Sequence, residues 1–354
     1  MNAPFSLCEE VFTQVDLADP GEAARITDFV YRWNGSPFHL PKWLTAVERG
    51  TGQKATGLIA EKGGELTGWL PLSVVHSLLF PRALVSSGFA VDGGVLASSP
   101  TTARKLCQLA TELAQREACA SVELRGGTYP DDWDVQSESH CNFSGPLADD
   151  DEAQLLAIPR KQRAEVRKGL KNELRVTIGS GAEDRQAHYA CYAESVRNLG
   201  TPVFPHSLFD AVLDAFGDEA DILTVWAGGR AVASVLSLYH MGAAMPYWGG
   251  GRFEARHLRA NEVMYYQLMC HARSKGCIRF DFGRSKTGSG PYNFKKNWGF
   301  DPEPLTYGTW TAAGGGKRDV DPTSDAYSRK IQLWKRLPLS VANRIGPLIA
   351  RGLG

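Results

Sequence analysis

Leu223-Thr224-Val225-Trp226-Ala227-Gly228-Gly229 is a β-rich run that stops at two glycines, and residues 230–240 form the matching return run. Gly-Gly between two such runs predicts a hairpin, because both central residues of the tight turn take positive φ and glycine does so without a steric penalty. The same spacing occurs earlier in Leu58-Ile59-Ala60-Glu61-Lys62-Gly63-Gly64. Its return run, residues 65–76, carries Leu66, Trp69, Leu70, Leu72 and Val74 on apolar faces. Gly64 and Gly229 lie 165 residues apart.

The segments downstream of the two hairpins also match. After the first come a strand ending near Asp92-Gly93-Gly94, a helix over 101–116, and a strand over 121–125 closed by Gly126-Gly127. After the second come the strand Tyr247-Trp248-Gly249-Gly250-Gly251, a helix over 261–275, and a strand over 278–282 closed by Gly283. Leu106, Leu109, Ala110 and Leu113 repeat at helical spacing, as do Val263, Met264 and Leu268. The ordered agreement of four elements predicts an internal duplication. The expected fold is α/β (α+β): two tandem halves, residues 8–148 and 149–312, each a mixed sheet flanked by helices, then a tail over 313–354. Near the boundary, Asp149-Asp150-Asp151-Glu152 places acid in a first helical turn. Pro159 to Gly169 reads as a short basic helix with proline at its start and glycine at its end.

Composition sets bounds on function. The 354 residues hold 39 Lys plus Arg and 39 Asp plus Glu, a formal net charge of zero. A protein that coats DNA is expected to be strongly basic, so no DNA partner is predicted. Met1-Asn2-Ala3-Pro4 has neither a basic nor an apolar leader region, and no apolar run approaches membrane-spanning length, so a cytoplasmic protein is expected. The seven cysteines, Cys8 among them, are scattered with no C-x-x-C pair. That pattern predicts small buried thiols rather than a disulfide framework or a zinc ribbon.

The chemistry concentrates in residues 280–300, FDFGRSKTGSGPYNFKKNWGF. A strand ends there in a Gly-rich cationic loop, and open α/β sheets collect ligands beyond the carboxyl ends of their strands. Small residues let backbone N–H groups approach an anion, and Arg284, Lys286 and Lys295 add positive charge. Gly283 and Gly288 are followed by Ser289-Gly290 rather than Lys-Ser/Thr, so this is no Walker A loop. Neither a G-x-S-x-G elbow nor H-E-x-x-H occurs, and no metal site is predicted.

Asp281-Phe282-Gly283-Arg284 followed by Phe294-Lys295-Lys296-Asn297-Trp298-Gly299 resembles the D-F-G…F-K-x-x-F/W-G end of the Fem (FemAB-type) peptidyltransferases, two-halved members of the GNAT acyltransferase superfamily. Tyr247-Trp248-Gly249-Gly250 resembles their Tyr-rich strand, and residues 160–168 their Arg/Lys-rich segment. Residues 37–44 with 84–89 resemble the branch associated with exosortase (PEP-CTERM) and exopolysaccharide gene systems. The resemblance spans about residues 8 to 312. It implies amide formation, with an activated acyl group passing to an amine of a cell-envelope or exopolysaccharide precursor. Lys295 is the residue it places at the reacting carbonyl, where a fixed cation stabilises developing negative charge. Asp281 is the candidate to polarise the amine, Arg284 and Lys286 to orient a phosphate or carboxylate, and Tyr247, Trp248, Phe294 and Trp298 to line or brace the cleft, expected between the halves.

No tightly bound cofactor is implied, and the donor stays open between aminoacyl-tRNA and acyl-CoA. Where acetyl-CoA enzymes carry an R/Q-x-x-G-x-G/A loop, this chain has Arg256-His257-Leu258-Arg259-Ala260-Asn261. The Fem coiled-coil insertion linked to tRNA contact has no sustained heptad counterpart. The alternatives are an acyl-CoA-dependent N-acetyltransferase and a non-catalytic, degenerate transferase acting as a binding module for a glycolipid or a secretion partner. The tail interleaves Ile331, Leu333, Trp334, Leu337, Val341, Ile345, Leu348 and Ile349 with Arg329, Lys330, Lys335, Arg336, Arg344 and Arg351. That pattern fits either a peripheral membrane contact or a helical arm on the body, with Pro338 and Pro347 interrupting any long helix.

Overall fold

The computed structural model describes residues 9–77, 80–314 and 325–352, so Cys8, Lys317 and Arg318 lie outside the described residues. In chain order the elements begin with β1 (Val11–Gln14), α1 (Pro20–Arg32), α2 (Pro41–Thr51), β2 (Lys54–Lys62), β3 (Glu65–Val75), β4 (Ala83–Ser86), β5 (Leu96–Ala97), α3 (Pro100–Arg116) and β6 (Ser121–Arg125). Next are β7 (Asp134–Pro146), α4 (Asp151–Ala157), α5 (Arg160–Leu170), β8 (Leu174–Gly179), α6 (Ala182–Leu199), α7 (His206–Phe216), β9 (Ala220–Ala227), β10 (Arg230–His240) and β11 (Ala243–Gly251). The last are α8 (Ala255–Leu258), α9 (Ala260–Ser274), β12 (Arg279–Asp281), β13 (Ser285–Lys286), α10 (Gly290–Asn297), β14 (Pro302–Thr311), α11 (Asp325–Arg336) and α12 (Leu339–Ala350).

The chain packs as two compact units. One holds the described residues up to Gln136 with 306–314 and 351–352, and the other holds Ser137–Leu305 with 325–350. The hairpin–strand–helix–strand order recurs, as β2-β3-β4-α3-β6 and as β9-β10-β11-α9-β12. Both hairpins turn on glycines at positive φ: 61° and 86° at Gly63 and Gly64, 54° and 79° at Gly228 and Gly229. Residue 148, where the sequence places the boundary, falls just after β7 in the second unit. The reason is pairing: Ser144, Gly145 and Pro146 of β7 lie antiparallel to Asp281, Phe280 and Arg279 of β12.

In the first unit the sheet order is β1-β2-β3-β4-β6-β14, with β4 and β6 parallel and the other neighbours antiparallel. Leu58, Leu70 and Leu72 pack with Leu106, Ala110 and Leu113 of α3 on one face. The alternating residue Trp69 points the other way and donates to the carbonyl of His39 at 2.8 Å. β4 stops at Ser86, short of the expected end near Asp92, because Ser87 and Phe89 take φ of 44° and 63° and turn the chain aside. The segment after Ser86 folds back over the end of the parallel pair. Ser86 Oγ accepts the Arg125 amide at 2.8 Å, and the Arg125 guanidinium donates to the Ala90 carbonyl at 2.6 Å. Gly94 presses so closely on the Gly126 carbonyl that a Cβ has no room.

In the second unit the order is β7-β12-β11-β10-β9-β8, again mixed, with β11 and β12 parallel. Leu223, Val225 and Val235 face α9 through Met264 and Leu268. On the opposite face α6 and α7 cover the sheet, with the His188 imidazole 3.2 Å from Ser234 Oγ. α11 and α12 pack on α6, where the Arg197 guanidinium donates to the carbonyls of Lys335 and Leu337 at 3.3 Å each. The break between these helices falls at Pro338, and Pro347 sits inside α12. Among the described residues no helix is long and apolar enough to cross a membrane.

Candidate active site

β11 and β12 pair only through Ala243 with Arg279 and Ala244 with Phe280. β12 ends at Asp281 while β11 continues to Gly251, so the two strands part beyond Ala244. A bulge accompanies the parting: Leu236 opposes Trp248 and Ser237 opposes Pro246, leaving Tyr247 as the extra residue. Bulges of this kind re-aim side chains and are frequent beside active sites. The equivalent place in the first unit is closed by the segment after Ser86, so the parted parallel pair belongs to the second unit.

Residues 282–299 assemble at the end of β12. The stretch 283–290, expected as a loop, contains the short strand β13, in which Ser285 and Lys286 pair with Cys141 and His140 of β7. Those ladder bonds hold the cationic segment against the sheet. Gly288 at φ 75° turns the chain, and Ser289 caps α10 by accepting the Tyr292 amide at 3.3 Å. α10 delivers Lys295 back over the strand end. Its ammonium donates to the carbonyls of Gly283 and Arg284, each at 2.9 Å. The ammonium also lies 5.8 Å from the Phe143 ring centroid and 6.0 Å from that of Phe282. Burial pushes its pKa down to about 7; Asp281 opposes that shift and Arg284 adds to it. Two of its three N–H groups are used, leaving one for a bound oxygen.

Asp281 accepts the Gly283 amide at 2.9 Å and so ties down the turn after β12. Burial holds its carboxyl above the ordinary range, against the hydrogen bonds from Gly283 and Asn142. Phe294 and Trp298 do not stand alone beside Lys295. They join Tyr265 and Phe282 in an aromatic cluster, with Tyr265 4.8 Å from Phe282 and 5.6 Å from Phe294, and Trp298 6.0 Å from Phe282. This cluster sits beneath the α10 backbone and fixes the helix that carries Lys295. Tyr247 and Trp248 stand in another aromatic group, where Trp248 is buried 4.9 Å from Phe209 of α7 and 4.7 Å from Tyr247.

Three polar atoms in these segments are buried without a protein partner: Ser144 Oγ, Ser285 Oγ and Trp298 Nε1. Ser144 lies opposite Asp281 in the ladder, and Ser285 comes directly after Arg284. Asn142, Phe143, Ser144 and Tyr265 were not foreseen from sequence. The alternation Cys141 and Phe143 inward with Asn142 and Ser144 between them is legible as a strand, but nothing in it announces that β12 is its neighbour.

At the loop where acetyl-CoA enzymes bind pyrophosphate, this chain forms α8. The amides of Ala255, Arg256, Leu258 and Arg259 already donate to backbone carbonyls. Arg259 itself is engaged with Glu165 at 2.6 Å. These four donors are occupied, whereas Ala260 and Asn261 of the same stretch stand at the N-terminus of α9.

Residues 160–296 match the family model described as an acetyltransferase (GNAT) domain. The match falls within the second unit. Its matched stretch runs from the start of α5 to Lys296, so it includes Asp281, Arg284 and Lys295. No curated protein matches the sequence. Among solved structures the chain is similar to FemX, with a TM-score of 0.61 at 16% identity over 84% of this chain and 96% of that one. It is also similar to a tandem GNAT protein from the clavulanic acid biosynthesis pathway, with a TM-score of 0.58 at 13% identity over 86% and 99%. A third is the C-terminal domain of a putative lysylphosphatidylglycerol synthetase from Agrobacterium fabrum, with a TM-score of 0.54 at 12% identity over 85% and 94%. At such identities the likeness is one of fold, and it extends along nearly the whole of each relative.

Proposed function

We propose that the protein is an amide-forming N-acyl or aminoacyl transferase that uses the Lys295 site to pass an activated acyl group to an amine of a cell-envelope or exopolysaccharide precursor. The observation that carries this reading is the Lys295 ammonium, buried at the end of the parted parallel strands and held by the carbonyls of Gly283 and Arg284. The amine nitrogen attacks the acyl carbonyl carbon, and the carbonyl oxygen gathers negative charge. In this reading the remaining Lys295 N–H receives that charge. The attack forms the C–N bond; collapse then re-forms the carbonyl and breaks the bond to the donor's leaving oxygen or sulfur, which takes up the proton lost by the amine. Asp281 positions Lys295 through the shared turn, and the Arg284 and Lys286 segment supplies positive potential for a phosphate or carboxylate. No covalent intermediate on Ser or Cys is needed.

The donor is an aminoacyl-tRNA or an acyl-CoA, and the missing glycines at residues 256–261 favour a donor not held by the usual pyrophosphate loop. Incubating the protein and an amine acceptor with charged tRNA in one arm and acyl-CoA in the other, with mass spectrometry of the acceptor, tests both the reaction and the donor. Absence of an acylated product with either donor, across envelope and exopolysaccharide amines, counts against transferase activity and favours a non-catalytic binding role.

A further inference from the structure

The C-terminal arm turns its apolar residues in an unusual direction. In α12 the residues buried against the second unit are the small ones, Ala342, Gly346 and Ala350. Gly346 comes so near the Val203 backbone that a side chain there would be tight. The large residues Val341, Ile345 and Leu348 are exposed, Leu348 at 64%. At 3.6 residues per turn, positions 341, 345 and 348 form one stripe, roughly a third of a turn from the buried one. Leu333 on α11 is 67% exposed. A helix that seats its small side and presents its large side has its apolar surface available for something else.

Charge selects the occupant. Residues 326–354 contain six Lys or Arg and no Asp or Glu, in a chain whose formal net charge is zero. Arg344 is exposed beside the apolar stripe of α12, and Arg336 is exposed at the end of α11. A second copy of this chain would bring the same cationic face against itself, which is unfavourable in a two-fold contact. A surface that accepts aliphatic side chains while presenting many negative charges is that of an anionic bilayer, and cation-flanked apolar helices bind there in the interfacial plane. We infer that α11 and α12 form a peripheral docking face for an anionic lipid bilayer, with Val341, Ile345, Leu348 and Leu333 entering the interface and Arg336 and Arg344 meeting headgroup phosphates. None of these residues belongs to the Lys295 site, so bilayer docking and acyl transfer stand or fall separately.

The test is flotation of the full-length protein with phosphatidylcholine vesicles prepared with and without phosphatidylglycerol. Binding is expected on the order of tenfold or more tighter to the anionic vesicles, and it should weaken as salt rises. The triple variant Val341→Ser, Ile345→Ser, Leu348→Ser should lose most of the binding, and so should Arg336→Gln with Arg344→Gln. Each variant is checked for unchanged helicity and melting temperature, which exposed positions permit. Ile278→Ser, which alters an exposed apolar residue on another segment, should bind as the wild type does. The inference is overturned if folded wild type floats with neither vesicle, if it binds neutral and anionic vesicles equally, or if the triple variant binds undiminished. It is also overturned if sedimentation shows a wild-type dimer that the triple variant makes monomeric, since the face would then serve a second copy.

Discussion

Lys295 and Asp281 hold the same turn from opposite sides: the lysine ammonium donates to the Gly283 carbonyl, and the aspartate accepts the Gly283 amide, both at 2.9 Å. The backbone between strand and helix is therefore clamped, and the cation that would meet a reacting carbonyl is fixed by the turn it helps to hold. Preorganisation of this kind gives one charge a large effect, because nothing has to reorient as the transition state forms.

Lys295→Met should abolish transfer while leaving a folded protein. Methionine keeps most of the stem, and loss of one such charge-stabilising donor typically costs about 100- to 1,000-fold in rate. Lys296 is exposed, so Lys296→Met is the tolerant control. Product formation is measured by mass spectrometry, with whichever of charged tRNA and acyl-CoA serves as donor. Near wild-type turnover in Lys295→Met refutes the assignment.

The buried lysine also predicts a pH signature. With its pKa at about 7, the ammonium is lost as pH rises through neutrality, so the charge-stabilising role should be complete below that range and fade above it. Stability runs the other way. Between about 7 and the ordinary lysine value of 10.5 the folded chain binds fewer protons at this site than the unfolded chain, so stability rises with pH. Denaturant titrations at several pH values should show wild type gaining on Lys295→Met across that window, by on the order of a few kcal/mol. A constant difference between the two proteins contradicts the burial of the charge.

Removing Asp281 should push Lys295 further down, because the aspartate's charge acts to raise the lysine's pKa. In Asp281→Asn, the lysine resonance followed by NMR after ¹³C reductive methylation, and assigned by its absence in Lys295→Met, should titrate at lower pH than in wild type. An unchanged or raised midpoint would show that the two groups are not coupled.

Calorimetric titration with acetyl-CoA should show no binding tighter than roughly the high micromolar range. The glycines of the usual pyrophosphate loop are missing at residues 256–261, the amides of Ala255, Arg256, Leu258 and Arg259 are committed to backbone carbonyls, and Arg259 is committed to Glu165. Low-micromolar binding would favour acyl-CoA as the donor.

In the first unit, Gly94→Ala should lower stability by about 1–3 kcal/mol, the usual range for overpacking, since the added Cβ meets the rigid Gly126 carbonyl. Urea denaturation checks this. A neutral effect would show that the segment closing the end of β4 and β6 yields easily.

The repeated order of elements and the gathering of residues 281–298 at one strand end were legible in the amino acids alone. Gly-Gly between β-rich runs has one low-energy solution, and the structure places both hairpins there with all four glycines at positive φ. The D-F-G-R and F-K-x-x-W-G segments are local enough to be read directly, and Asp281, Arg284, Phe294, Lys295 and Trp298 do meet. Whatever depends on non-local pairing emerged only in three dimensions. Strand β7 is joined to β12 and β13 only by ladder bonds across more than a hundred residues, so Phe143 beside Lys295 and Ser144 opposite Asp281 have no signature in their own neighbourhood. The shift of the Lys295 pKa is likewise a property of burial, which no spacing reports. The closing of one parallel pair and the parting of the other come from the backbone at Ser87 and Phe89 in one unit and from the bulge at Tyr247 in the other. Those conformations are stabilised by contacts distant in sequence, and the repeat in the amino acids conceals the difference between them.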